Sequence, residues 1–162
     1  MKRSIPLFIA AVLLVAFSSQ ASAQKSELAG KWKIDRSKTQ KQDDWPLLTG
    51  INIRISGDSL YTERLYELTD GQQYPFNEAL TLDNKEANTV VYEMPRKMKA
   101  QWIPAESVLK FESTTTSYGN GSPLDFVSVE TWITDPATKT LTISFVNKIS
   151  GTEVPGKLVF TR

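Results

Sequence analysis

The sequence contains no cysteine and no histidine. Without cysteine, the chain can form no disulfide framework, thiol nucleophile or thiolate metal site. Without histidine, it lacks the most common general base and the most common zinc ligand. Serine–histidine–aspartate and cysteine–histidine enzymes are therefore excluded. Glycine-rich phosphate loops, nucleophile elbows and oxygen-rich calcium loops are also missing, so the sequence predicts no metal and no cofactor.

The first residues have the three parts of a secretory signal peptide. Lys2 and Arg3 are followed by an apolar run and then by an Ala-Ser-Ala triplet, which predicts a signal peptide over 1–23 and cleavage before Gln24. The apolar run is short for a membrane span, and the absence of cysteine excludes a lipid anchor at the cleavage point. We therefore expect residues 24–162 to be exported to a periplasmic or extracellular space, as a monomer without a membrane span.

The charges of the chain are balanced rather than concentrated. The 162 residues include 19 basic and 18 acidic ones, for a formal net charge of +1. Removal of Lys2 and Arg3 with the signal peptide leaves 17 basic against 18 acidic residues, a net charge of −1. Nucleic acids and anionic membrane surfaces require a cluster of basic residues, which the sequence does not have. Neither is an expected partner.

The remainder of the chain is typical of an all-β domain. Short segments rich in Val, Ile, Thr, Tyr, Phe and Trp alternate with Gly, Asn, Asp and Pro, and no segment has a convincing helical period. The candidate strands are 29–35, 50–56, 59–67, 73–82, 89–94, 97–103, 107–118, 125–134, 139–147 and 153–161. Most connections are short enough for hairpins, whereas 36–49 is a longer polar loop with at most a single helical turn. Because closure removes exposed sheet edges, the pattern predicts an antiparallel up-and-down β-barrel of about 8–10 strands.

The first predicted strand contains the sequence Gly30-Lys31-Trp32. Glycine permits a sharp turn, and a large indole two residues later can close one end of a barrel. This opening resembles the Gly-x-Trp motif of the calycins, which include the lipocalins and the fatty-acid-binding proteins. The stretches 36–38, 130–133 and 140–143 are similar to those of small exported bacterial lipocalin-like domains. The resemblance implies a barrel whose interior binds a small hydrophobic or amphipathic molecule.

Two further features of the lipocalins have counterparts near the end of the chain. A basic residue near the last strand packs over the opening tryptophan in that family, and Lys157 or Arg162 would supply it here. Thr134-Asp135-Pro136 agrees with the family's Thr-Asp-Tyr-like loop in its first two residues only. The resemblance therefore covers the layout of most of the mature chain, but only short stretches in residues.

Arg64, Glu78 and Glu130 interrupt faces that are otherwise largely apolar. Each alternates in register with aromatic residues, as expected if all of them point to the same side of the sheet. If that side is the interior, they form a polar cluster within an apolar cup, and Arg64 would bind a ligand carboxylate through its guanidinium fork. The predicted ligand-binding residues are Arg64, Tyr66, Phe76, Glu78, Trp102, Phe111, Glu130 and Trp132.

Alternative interpretations of these residues stay open at this level. The three charged residues would instead pair with one another or face solvent, and Trp102 and Trp132 would serve as core. Trp45, beside Pro46 in the long loop, would form a lid over the barrel mouth or rest on its rim.

Three classes of function follow from these interpretations. The first is a carrier or sensor of a small ligand. The second is a protein-interaction or inhibitor-type barrel with a filled core. The third is a catalytic barrel that uses paired acids, either Glu63 with Glu67 or Glu78 with Glu130. Nothing in the spacing selects either acid pair, so we do not expect an enzyme.

Overall fold

A computed structural model describes residues 25–40, 46–118 and 121–162. The predicted signal peptide, Trp45, and the Gly119-Asn120 part of a predicted turn lie outside the described residues. No helix in the described ranges is long and apolar enough to cross a membrane. These ranges contain ten strands: β1 (Gly30–Ile34), β2 (Leu47–Ser56), β3 (Ser59–Glu67), β4 (Gln73–Thr81), β5 (Ala87–Val91), β6 (Met94–Ile103), β7 (Val108–Ser117), β8 (Leu124–Asp135), β9 (Thr140–Ile149) and β10 (Thr152–Thr161).

The strands form one antiparallel sheet in up-and-down order. Each strand pairs with its neighbour in the chain except β4 with β5, and β1 also pairs with β10 through Lys33 with Thr161 and Ile34 with Phe160. The sheet therefore almost closes on itself as a barrel, and β4 and β5 are its two edge strands. The predicted fold class, an antiparallel up-and-down β-barrel, is confirmed.

Hydrogen bonds near both ends of the barrel bring the ends of the sheet together. Beyond the end of β4, the Asn84 N–H donates a hydrogen bond to the Ala100 carbonyl of β6 over 2.8 Å, which bypasses the short strand β5. At the opposite end of the barrel, the Tyr92 hydroxyl donates to the Pro75 carbonyl of β4 over 3.0 Å. Between these two points the β4 and β5 backbones are not paired, so the barrel is nearly closed rather than closed.

The β5–β6 hairpin differs from its predicted position. The sequence predicts one strand that ends at Met94 and a break at Pro95 and Arg96. In the structure the turn consists of Tyr92 and Glu93, whose φ angles are 49° and 69°. Positive φ at both central residues is the conformation of a type I′ turn, which fits the twist of paired strands and usually contains Asn or Gly. Because Tyr and Glu rarely occur at these positions, the sequence has no turn signal here.

Trp32 closes the end of the barrel that is formed by residues 25–29, the β2–β3 hairpin and the C-terminal Arg162. The side chain of Trp32 is 3 % exposed, and its indole N–H donates to the Leu28 carbonyl over 2.8 Å. The guanidinium of Arg162 lies over the indole ring, with Cζ 4.2 Å from the ring centroid, and also donates to the Ala29 carbonyl. Of the two basic residues considered from the sequence, Arg162 makes this contact.

Candidate ligand-binding site

A cavity of about 660 Å³ occupies the half of the barrel opposite Trp32. It is lined by the last residues of β3, β5, β7 and β9 and by the first residues of β2, β4, β6 and β8. Its wall is mainly apolar and includes Leu48, Tyr66, Phe76, Phe145 and Ile149. The half of the interior nearer Trp32 is filled by a buried core that contains Leu60, Met98, Leu109, Phe111, Trp132 and Leu141.

Arg64 lies at the boundary between the cavity and the filled half. Only 1 % of its surface is exposed, although it borders the cavity. Its two terminal nitrogens donate to the two carboxylate oxygens of Glu130 over 3.0 and 3.1 Å, and its Nε donates to Glu78 over 2.7 Å. This forked pairing with Glu130 is the geometry in which arginine binds a carboxylate most strongly. The fork that we expected to receive a ligand carboxylate is therefore occupied by the protein's own.

Glu78 joins Arg64 to a second arginine. One of its carboxylate oxygens accepts from Arg64 and from the Thr62 hydroxyl, the latter over 2.9 Å. The other oxygen accepts from Nε and Nη2 of Arg96 over 3.1 and 2.9 Å. Arg96 also donates to the Thr115 hydroxyl over 2.8 Å. The four charged side chains, two of each sign, thus form one hydrogen-bonded network, which we call the floor cluster: Arg64, Glu78, Arg96 and Glu130.

Ion pairing outweighs burial in setting the pKa values of Glu78 and Arg64. Burial raises the pKa of Glu78, but the charges of Arg64 and Arg96 outweigh it and hold the pKa below its ordinary value of 4.5. Burial also lowers the pKa of Arg64, but Glu130 and Glu78 outweigh it and raise that pKa well above its ordinary range. At neutral pH both groups are therefore charged.

Aromatic rings surround the arginines on both sides of the boundary. Towards the cavity, the rings of Tyr66 and Phe76 stack with their centroids 5.3 Å apart. Towards the core, Phe111 and Trp132 stack at 5.9 Å, and Cζ of Arg64 is 4.7 Å from the first ring and 5.1 Å from the second. A guanidinium packed on ring faces in this way gains cation–π attraction in addition to its ion pairs.

A row of uncharged polar residues crosses β7, β8 and β9 beside the floor cluster. Ser113 pairs in register with Ser128, and Ser128 pairs with Asn147. Ser128 and Asn147 line the cavity. Ser113 is 3 % exposed, and its hydroxyl has no hydrogen-bond partner among the described residues. A buried hydroxyl without a partner is unfavourable by about 1–3 kcal/mol, so the Ser113 hydroxyl has unused capacity for hydrogen bonds.

The structure divides the predicted ligand-binding residues into two groups. Arg64, Tyr66, Phe76 and Glu130 line the cavity. The other four predicted residues do not line the cavity. Glu78 accepts hydrogen bonds from the two arginines, Phe111 and Trp132 belong to the core, and Trp102 packs against that core. Of the three interpretations of the charged residues, pairing with one another is the one observed, and Arg64 and Glu130 also border the cavity.

Arg96 belongs to the floor cluster but is not among the residues predicted from the sequence. It lies on the same face of β6 as Met94, Met98 and Ala100, and it is 7 % exposed. The alternation of Arg96 with these apolar residues is the sequence signal for its position. The predicted strand break at Pro95 and Arg96 conceals this signal.

No group of three or more acidic side chains that could hold a metal ion occurs in the described part of the chain. A comparison with models of known protein families gives no match, and a search of the curated proteins finds no significant relative. The fold and the cavity are therefore the basis for assigning a function.

Proposed function

We propose that this protein is an exported binding protein, lipocalin-like in the broad sense, that holds a small hydrophobic or amphipathic molecule in the barrel cavity. The observation that carries the proposal is the cavity of about 660 Å³. Ligand pockets are typically about 300–1,000 Å³, mainly apolar, with a few polar groups that orient the ligand. The apolar wall and the polar floor cluster fit this description.

The alternative of a protein-interaction barrel with a filled core is not favoured. A filled barrel of this size would place large side chains at interior positions along the whole length of its strands. On β7 the interior positions change from Phe111 to Ser113, Thr115 and Ser117 towards the open end. The small residues leave the space that the cavity occupies.

Binding without catalysis is part of the proposal. Acid catalysis by paired carboxylates requires one carboxylic acid with a raised pKa. Glu78 has a lowered pKa, because its arginine partners outweigh its burial. Both Glu78 and Glu130 accept several hydrogen bonds from neighbouring side chains, which leaves them poorly suited to proton transfer.

Titration with N-phenyl-1-naphthylamine, an uncharged probe whose fluorescence increases in apolar surroundings, tests the proposal. We expect saturable binding by the purified protein. Ile149→Trp would fill the cavity next to its mouth and weaken binding by about tenfold or more, or about 1.4 kcal/mol. Ile133→Trp is the matched control, because Ile133 is 45 % exposed and does not line the cavity.

The two variants separate binding inside the barrel from adsorption to its surface. Equal affinities in the two variants, or no saturable binding by the unmodified protein, would contradict the proposal. The export component is tested separately by N-terminal sequencing of the protein recovered from the extracytoplasmic fraction. The expected first residue is Gln24.

A further inference from the structure

The charges at the base of the cavity cancel. Arg64 and Arg96 contribute two positive charges, and Glu78 and Glu130 contribute two negative ones. Each carboxylate oxygen accepts at least one hydrogen bond, and Glu130 also accepts from the Trp132 indole over 2.7 Å. The floor cluster therefore has no net charge to offer a ligand.

No other charged side chain of the described residues lines the cavity. The remaining polar lining groups are hydroxyls and an amide, on Tyr66, Tyr74, Tyr92, Thr115, Ser117, Ser128 and Asn147. Burial outweighs the charge of Arg64 and raises the pKa of Tyr66 above its ordinary value of 10.0, so this phenol is neutral. A carboxylate or ammonium in the cavity would lose its hydration without meeting an unpaired opposite charge.

An uncharged oxygen would find hydrogen bonds at the same place. Arginine has five N–H donors, and those of Arg96 form three hydrogen bonds among the described residues. The remaining donors can bind a hydroxyl or carbonyl oxygen without adding a charge. The Ser128 hydroxyl, which lines the cavity, can both donate and accept.

We infer that the polar end of the ligand is an uncharged oxygen group, namely a hydroxyl, carbonyl or ester. The site accordingly selects against fatty carboxylates and alkylammonium ions with the same apolar part. This inference rests on the proposed function and names the ligand class of the same cavity. It differs from the carboxylate that the sequence suggested, because the fork of Arg64 is already paired with Glu130.

Displacement of N-phenyl-1-naphthylamine by three ligands with one chain length tests the inference. The ligands are dodecanol, dodecanoate and dodecylammonium, titrated into the unmodified protein at neutral pH. We expect dodecanol to bind more tightly than either ion by about tenfold or more. Dodecanoate or dodecylammonium that binds as tightly as dodecanol would overturn the inference. If neither the probe nor any of the three ligands binds, the proposed function fails, and the inference fails with it.

Changing the charge of the floor cluster should change the preference. Glu130→Gln leaves a net positive charge and is expected to increase dodecanoate affinity by about tenfold or more. Arg96→Met leaves a net negative charge and is expected to favour dodecylammonium instead. Glu153→Gln, at an exposed carboxylate paired with Lys148, is the control and should leave the order of affinities unchanged.

These variants have opposite predicted signs, so a general loss of packing cannot reproduce both results. Circular dichroism establishes that each variant is folded before titration. If a variant does not fold, the order of the three affinities in the unmodified protein decides the inference. An unchanged order in both folded variants would overturn it.

Discussion

Replacement of Arg64 by Met is expected to destabilise the barrel strongly. The substitution keeps an unbranched side chain in the core but removes the donors of three ion-paired hydrogen bonds, which measure 2.7, 3.0 and 3.1 Å. Glu78 retains Arg96 and Thr62 as partners, whereas Glu130 retains the indole N–H of Trp132 among the described residues. A buried carboxylate without its cation costs about 3–5 kcal/mol of stability.

Urea denaturation followed by tryptophan fluorescence measures this loss. Arg54→Met is the matched control on the neighbouring strand β2. Arg54 is exposed and lies over the ring of Tyr61, with Cζ 4.1 Å from the centroid. We expect its replacement to cost no more than about 1 kcal/mol, since cation–π contacts in water contribute about 0.5–1 kcal/mol.

The double variant Arg64→Met with Glu130→Gln tests the cause of the loss. It removes one charge of each sign. The carboxylate of Glu130, which Arg64→Met leaves without its cation, is replaced in the double variant by an uncharged amide. We expect it to be less destabilised than the sum of the two single variants by about 2 kcal/mol, since coupling between contacting groups is about 0.5–3 kcal/mol. Additive losses, or a loss at Arg64 no greater than at Arg54, would refute the reasoning.

Two further predictions concern the acid stability and the packing of the barrel. Because the pKa of folded Glu78 lies below 4.5, its contribution to stability is complete above the unfolded pKa and is lost as the pH falls through the folded pKa. We therefore expect Glu78→Gln to lose less of its free energy of unfolding between neutral pH and about pH 3 than the unmodified protein does, as measured by urea unfolding. In Gly156→Ala, the added methyl group would lie 2.2 Å from the Phe145 ring. Overpacking of this kind typically costs about 1–3 kcal/mol, so we expect a lower urea midpoint. An unchanged midpoint would show that the ring moves freely.

The strand pattern, and which residues share one face of a strand, could be predicted from the sequence because they depend on local alternation, whereas the choice of the interior face stayed open. Arg64, Glu78 and Glu130 each occupy interior positions. The partners of these residues could not be predicted in the same way. Arg64 and Glu130 are 66 residues apart and lie on strands that are not neighbours in the sheet. Alternation determines which residues share one face of a strand. The diameter and tilt of the barrel determine which of their side chains contact one another across its interior.

The sequence of β7 contains a signal for the position of the cavity. Along β7 the interior residues decrease in size from Phe111 to Ser113, whereas the interior residues of a filled barrel would remain large. Arg96 could not be predicted for a different reason, because proline within a run of residues is typical of a strand break. In the structure Pro95 lies within β6 and pairs in register with Val90.

The hydrogen bond from Tyr92 to Pro75 reveals how the unpaired side of the barrel is protected from other chains. In an extended strand the N–H and C=O of one residue point the same way, so Pro75 lacks its donor on the very edge that faces β5. The neighbouring edge, β5, is only five residues long. A strand from another chain would lack one backbone donor at β4 and would find only a short partner in β5. Proline and short edge strands both hinder intermolecular sheet growth. The β4 and β5 backbones can therefore remain unpaired without becoming a template for fibril formation.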